Sequence, residues 1–255
     1  MDIARTPSTA DGNPQMADAP PQPKAPTLIQ RADYTPYPWL VPEVSLRFDL
    51  GIQRTRVEAA LTVQRNAKSG SIDRFIRLNG DGLTALEVRV DGQVVTGWSM
   101  DGGDLTLELP GESHLLEVVT EIDPSANTQL MGLYASSGML CTQCEAEGFR
   151  RITFFPDRPD VLSTYRVHMK GQQAAFPALL SNGNLVDSGD AGDGTHWAEW
   201  HDPWPNACHP ICSRWWRVIW WSTATPSPPL AGARSIWASM SAKAIWNARR
   251  TRWIR

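Results

Sequence analysis

Between Asp33 and Trp204 apolar and polar residues alternate with a period of two, and turn residues break the alternation about every ten positions. Few features restrict a fold more, because successive side chains on a strand point to opposite faces, so such a chain buries one face of a sheet. Val44–Leu50 alternates cleanly, Arg56–Gln64 less so, and Thr84–Val90 resumes the pattern. Asp91-Gly92, followed by Val94-Val95, predicts a two-residue hairpin turn, where glycine supplies the positive φ. Asp104–Leu109, the turn Pro110-Gly111 and His114–Ile122 repeat the pattern. The expected architecture is an antiparallel sandwich or a strongly curved sheet.

The texture changes after Ile122. Asn127–Gly148 reads as a long irregular, small-residue segment, a kind that often carries function in a compact domain. Phe149–Phe155 is expected as a short strand, and Pro156–Asp160 as a turn leading into a helical turn. Thr164–Met169 alternates again. Ala178–Leu185 predicts a hairpin on Asn182-Gly183, with Thr195–Trp200 as its return strand.

Charge divides the chain. The formal net charge is −3, yet residues 206–255 hold seven Arg and Lys243 with no Asp or Glu, a charge of +8. The remaining 205 residues carry 16 basic and 27 acidic side chains, a charge of −11. Seven of the twelve tryptophans also fall in the last fifty positions. The first thirty residues are polar and Pro-rich, so the expected organisation is a disordered leader at 1–30, a β domain at 31–205 and a distinct tail at 206–255. No run reaches the roughly 18 apolar residues of a membrane span, and no apolar signal segment is visible in the leader. Four cysteines in a chain of this size do not make a disulfide framework, so the reading is a cytoplasmic protein.

Candidate chemistry is sparse. Cys141-Thr-Gln-Cys144 has zinc-knuckle spacing, and Cys208 and Cys212, with His209, could complete a site. Two close cysteines are more commonly small buried apolar residues, so no metal ligand is assigned. His196 and His201 flank Glu199 in a predicted strand, where residues five apart face opposite ways, so a shared metal is not expected. No His-Glu-x-x-His, phosphate loop, dinucleotide fingerprint or nucleophile elbow occurs. The basic, Trp-rich tail suggests binding to an anionic surface or nucleic acid, but its tryptophans keep no helical period and three prolines interrupt it. In Gln143-Cys-Glu-Ala-Glu147, two carboxylates two apart in an extended loop point the same way; either could bind an ammonium, or both could be solvated.

Several separated segments, in order, resemble the N-terminal domain of bacterial aminopeptidase N, a family of M1 zinc metallopeptidases. They are Asn127–Tyr134, Leu140–Arg150, Ile152-Thr153, Asp157–Leu162, Leu179–Asn184 and His201–Pro205. The resemblance implies a saddle-shaped β-sandwich whose Gln-x-Glu loop leans into the active site of a following catalytic domain. Carried over, Glu145 is the residue that holds the substrate's free α-amine, and Gln143 is its neighbour on the substrate side. The partner implied is a peptide N-terminus, engaged only together with the catalytic domain.

The family's zinc-binding His-Glu-x-x-His helix and its Gly-Ala-Met-Glu-Asn substrate loop are both missing from this sequence. Read in a shifted frame, codons for Pro210–Trp221, Ser222–Arg234 and Ser235–Ile254 can yield text that resembles the opening of the family's catalytic domain. The tail is therefore expected to be an out-of-frame product following a shift near Ala207, which makes Cys208, His209 and Cys212 accidental. The expectation is a fragment with no catalytic residue, no bound zinc and no activity of its own, binding neither nucleic acid nor membrane, and monomeric or prone to aggregate. The alternative is a non-catalytic β-sandwich interaction module whose basic tail binds an anionic surface.

Overall fold

The structure, a computed structural model, describes residues 30–207 with the exception of Ala146. The leader expected at 1–30 and the tail expected at 206–255 thus lie outside the described residues, apart from Gln30, Asn206 and Ala207. Residues 30–35 hold one 3-10 turn, Arg31–Asp33. From Pro36 onward the regular elements of the described chain are all strands apart from two 3-10 turns, Ala67–Ser69 and Phe149–Arg151.

Eight strands make the main sheet. In spatial order they are β12 (Asn184–Asp190), β13 (Thr195–Ala207), β11 (Leu162–Gln172), β1 (Trp39–Asp49), β2 (Thr55–Arg65), β8 (Ser113–Ile122), β4 (Thr84–Val90) and β5 (Gln93–Val94). All neighbours are antiparallel except β1 and β11, which run parallel with Val44 opposite Tyr165 and Phe48 opposite Met169. A second sheet contains β3 (Phe75–Leu78), β7 (Asp104–Glu108) and β6 (Ser99–Asp101), and a third is the hairpin of β9 (Gly132–Ser136) and β10 (Met139–Gln143).

Register turns the period of two into a core. Three rows cross the main sheet: Tyr165–Val44–Leu61–Leu116, then Val167–Leu46–Ala59–Val118, then Met169–Phe48–Val57–Thr120. Every residue in these rows is buried. The intervening residues face outward, as in the row His168–Arg47–Glu58. Covering the apolar face are Ile76 and Leu78 of β3, Leu105 and Leu107 of β7, and Leu109, joined in one cluster with Phe149, Ile152, Phe154 and Phe155. Burying each such aliphatic side chain stabilises the fold by about 1.5–3 kcal/mol before chain entropy is counted.

One irregularity sits at the start of the central strand. The β1–β2 register shifts between Leu40 and Glu43, around Pro42, which has no N–H to give a ladder. The carbonyls at this bulge are recovered from β11: the buried Ser163 hydroxyl donates to Val41 O, and Thr164 Oγ1 donates to Pro42 O at 3.2 Å.

The segments 44–50, 56–64, 84–90, 104–109, 114–122, 164–169 and 195–200 all fall within or largely within strands. Four details differ from the sequence-based expectation. Pro110-Gly111 is no hairpin turn, since β7 and β8 belong to different sheets and the turn carries the chain between layers. The segment 127–148 holds the β9–β10 hairpin, because Ser137 and Gly138 adopt φ of 49° and 77° and supply a tight turn. Residues 149–155 form a 3-10 turn, Phe149–Arg151, and a single bridge from Phe155 to Asn79, while Pro156–Asp160 leads directly to β11 with no helical turn. Finally, the last hairpin joins β12 and β13 through Ala191–Gly194; Gly183 lies before β12, and a Cβ there would come within 2.2 Å of His201 O.

Asp91 and Gly92, with φ of 51° and 78°, close the β4–β5 hairpin as expected. The Asp91 carboxylate then latches this hairpin to β8, accepting from Leu115 N at 2.9 Å and meeting His114 Nδ1 at 2.7 Å. His114 Nε2 accepts from Gly111 N at 2.9 Å, so the ring's proton sits on Nδ1 and points to Asp91. The hydrogen bond from His114, and then that from Leu115, hold the Asp91 carboxyl below its ordinary value. A carboxyl depressed in the folded state stabilises it above the unfolded value, about 3.9, and loses that effect as pH falls through the folded value. Urea midpoints measured across about pH 2 to 5 are therefore expected to fall less steeply in Asp91→Asn than in the unaltered chain; parallel acid limbs would contradict the latch.

Candidate functional site

The residues singled out from the sequence gather at the open end of the β9–β10 hairpin. Along β10 burial alternates, with Leu140 and Thr142 buried and Met139, Cys141 and Gln143 half-buried. The alternation runs past the strand, so Cys144 is buried and Glu145 is exposed. Cys144 thus anchors the loop in the apolar core while the next residue faces solvent. Cys141 and Cys144, three apart at a strand end, differ in burial, and neither is in a disulfide among the described residues.

Gln143 is the last residue of β10 and stands opposite Gly132, the first residue of β9. Gly132 has φ of 72°, and a Cβ added to it would lie 2.6 Å from Arg151 Cβ. Only glycine lets the Arg151 backbone approach this closely, and Arg151 in turn makes a two-point ion pair with Asp81, at 2.8 and 3.2 Å. Ahead of Gly132, the Asn127 side-chain amide donates to Met131 O at 2.7 Å and Leu133 O at 2.9 Å, folding 127–131 into a compact corner. Leu130 at this corner is exposed, with a positive φ of 56° that a branched side chain rarely adopts. A Cβ added to Gly148 would lie 3.3 Å from Met131 Cε, so the corner lies close to Gly148.

The two carboxylates of the loop are not equivalent. Glu147 pairs with Arg150, Nη2 to Oε2 2.8 Å. Glu145 is exposed and joins no ion pair among the described residues. The 3-10 turn at Phe149–Arg151 brings Arg150 back to Glu147 and leaves Glu145 as the unneutralised charge.

Behind the loop lies a residue that sequence reasoning did not single out for a role. Asp157 is buried, and its Oδ2 accepts from Gly148 N at 2.8 Å and Arg150 N at 3.3 Å, with Arg150 Nε at 3.9 Å. Its own N–H donates to Asn79 Oδ1 at 3.1 Å, and Asn79 Nδ2 donates to Asp104 Oδ2 at 3.2 Å. The loop is thereby tied to β3 and β7. In Pro156-Asp-Arg-Pro-Asp160 nothing local distinguishes this aspartate from Asp160, which pairs with Arg158 at 2.8 Å.

The remaining candidates take structural places. His196 and His201 lie on β13, opposite Gly171 and Arg166 of β11, and His196 Nε2 bonds the Phe176 carbonyl. Cys208, His209 and Cys212 fall outside the described residues. Among the described residues no group of three or more His, Cys, Asp or Glu could hold a metal ion, and no helix is long and apolar enough to cross a membrane. The loop offers one free carboxylate beside an amide side chain, an arrangement suited to a single ammonium group.

Comparison with known proteins covers this same region. Residues 42–207 match the family model described as the Peptidase M1 N-terminal domain. Aminopeptidase N of Caulobacter vibrioides is 46% identical over 182 residues, covering 71% of this chain and 21% of that protein. Aminopeptidase N of Escherichia coli is 40% identical over 184 residues, covering 72% and 21% respectively. Among solved structures, Legionella pneumophila aminopeptidase A in complex with aspartic acid superposes with a TM-score of 0.65 at 28% identity, covering 69% of this chain and 21% of that one. An M1 zinc metallopeptidase from Deinococcus radiodurans, 18% identical with a TM-score of 0.58 over 68% of this chain and 40% of that one, shares the fold. The chain spans about a fifth of the length of the curated relatives it matches.

Gly132→Ala tests the site's construction. The new Cβ meets Arg151, and the positive φ is strained for alanine, so a loss of about 1–3 kcal/mol in urea denaturation is expected, together with loss of protection at the β9–β10 amides. A variant as stable as the unaltered chain would show that the close approach is not required.

Proposed function

This chain belongs to the M1 peptidase N-terminal domain family, and on that premise we propose that it is the substrate-gating domain of an M1 zinc aminopeptidase, a hydrolase that releases N-terminal amino acids from peptides. The observation that supports the reading best is the asymmetry of the 144–148 loop, with Glu147 neutralised by Arg150 and Glu145 left free and exposed. A free carboxylate at this place accepts a charge-assisted hydrogen bond from the substrate's α-ammonium, roughly twice as strong as a neutral bond. An acylated terminus has no such cation to offer, so cleavage is confined to free N-termini. Gln143, one strand position before the buried Cys144, flanks the bound terminus on the substrate side.

Chemistry on the scissile bond belongs elsewhere in such an enzyme. Zinc supplies the activated water and polarises the carbonyl in metallopeptidases, but the described residues do not fit the ion and the His-Glu-x-x-His motif is missing from the sequence. Our reading is that the fragment is inactive alone and meets a peptide N-terminus only when a catalytic domain completes the site. That Cys141 and Cys144 form no disulfide among the described residues supports a reducing, cytoplasmic setting.

The domain organisation we propose is a leader at 1–30, the M1 N-terminal domain at 31–205 and an out-of-frame tail at 206–255, supported by the tail's charge of +8 with no carboxylate. Resequencing the nucleotides around the Ala207 codon is expected to reveal a downstream frame that encodes a His-Glu-x-x-His motif. A downstream sequence with no such frame would overturn this origin for the tail.

The role of Glu145 is tested by joining residues 1–205 to the catalytic part of the Caulobacter vibrioides aminopeptidase N. The fusion is expected to release a chromophore from an aminoacyl amide, while the purified 255-residue chain releases none. In the fusion, Glu145→Gln should lower kcat/KM by about 10- to 100-fold, the worth of one charged hydrogen bond, and Glu147→Gln should leave it within about twofold. Equal effects of the two substitutions would refute the assignment.

A further inference from the structure

The structure assigns Asp157 as a positioning residue of the amine site: its buried carboxylate presets the loop that presents Glu145 before any substrate arrives. This rests on the reading of Glu145 as the ammonium acceptor, but the ordering of the loop is measurable independently of it.

Asp157 is an expensive choice for a mere spacer. Its side chain is fully buried, and Oδ1 is also buried with no hydrogen-bond partner among the described residues. A buried carboxylate with an idle oxygen costs stability, so its presence calls for a task that a neutral side chain does less well. Everything Asp157 holds is done by Oδ2, which takes the amides of Gly148 and Arg150, the residues that bracket the turn back toward Glu147. The nearest cation is the guanidinium of Arg150, whose other end holds Glu147. One carboxylate thus fixes the loop backbone and also orients the arginine that silences the second glutamate.

The anchorage extends below the loop. Asp157 N donates to Asn79, and Asp104 accepts both from Asn79 Nδ2 and from Gly80 N, at 3.2 Å each. Asn79 and Phe155 also exchange backbone bonds at 2.9 and 3.2 Å. Cys144 is buried immediately before Glu145, and Asp157 grips the backbone at Gly148 and Arg150 just after Glu147. A short span held at both ends gives the exposed carboxylate few conformations to lose on binding, which is how preorganisation raises affinity without a new contact.

The test uses the whole 255-residue chain and two readouts: site-resolved amide exchange at Gly148 and Arg150, and cleavage by a Glu-specific protease. In Asp157→Ala, exchange at both amides and cleavage after Glu145 and Glu147 should rise by about tenfold or more, as loss of hydrogen bonds to a charged group implies. Cleavage after Glu108 and Glu112, far along the chain, should stay unchanged. Asp157→Asn keeps one acceptor oxygen and should restore part of the protection, while Glu145→Gln should leave amide exchange at Gly148 and Arg150 untouched. A folded Asp157→Ala chain with unaltered loop exchange and cleavage would overturn the assignment. If Asp157→Ala does not fold, Asp157→Asn decides: selective loss of protection at Gly148 and Arg150 supports the assignment, and protection equal to the unaltered chain overturns it.

Discussion

Burial of one face of the eight-stranded sheet is the constraint from which the other parts follow. The rows running through Val44, Leu46 and Phe48 leave an apolar surface too broad for the sheet to hide from water by itself. The cover comes from the chain between β2 and β11: the β3–β7–β6 sheet, Leu109, and the aromatic cluster in which Phe149 meets Phe155 and Tyr165 edge-on at 5.0 and 6.3 Å. The loop presenting Glu145 is the outer margin of that cover. It enters the core at Cys144, is exposed at Glu145 and Glu147, and returns at Gly148 and Phe149. Packing and presentation are therefore one arrangement.

Much of the fold was legible because it follows from local rules. Thr84–Val90 has the period-two pattern and folds as β4 over those same residues, and Asp91-Gly92 is among the pairs that readily accept two positive φ angles in succession. Pairing across long separations was less accessible. Pro110-Gly111 looks like any hairpin turn, but β2 and β4 occupy the two edges of β8, so β7 pairs in another layer. Ser137-Gly138 was hidden within a stretch of small residues whose strands are just five residues each.

The site divides in the same way. Glu145 and Gln143 were found by resemblance to a family, and the structure adds the reason that one glutamate differs from the other, namely the return of Arg150 to Glu147. That return depends on a 3-10 turn at a place where the sequence suggests a strand. Asp157 fell in a segment that carried the family resemblance but had no signal for its own role, because its partners Gly148 and Asn79 lie nine and 78 positions away.

The parallel seam between β1 and β11 bears on how such a chain comes to be folded. Antiparallel partners can zip outward from a turn, but Glu43 and Thr164 must meet across 121 residues. Loop closure over that distance gains nothing until the intervening layer has collapsed. During synthesis β1 can pair early with β2, while its other edge waits until β11 has emerged. For that interval Leu46 and Phe48 stand at an open sheet edge, a template for pairing with other chains. Assembly of this sheet is consequently a race between the arrival of Leu162–Gln172 and the encounter of two nascent edges.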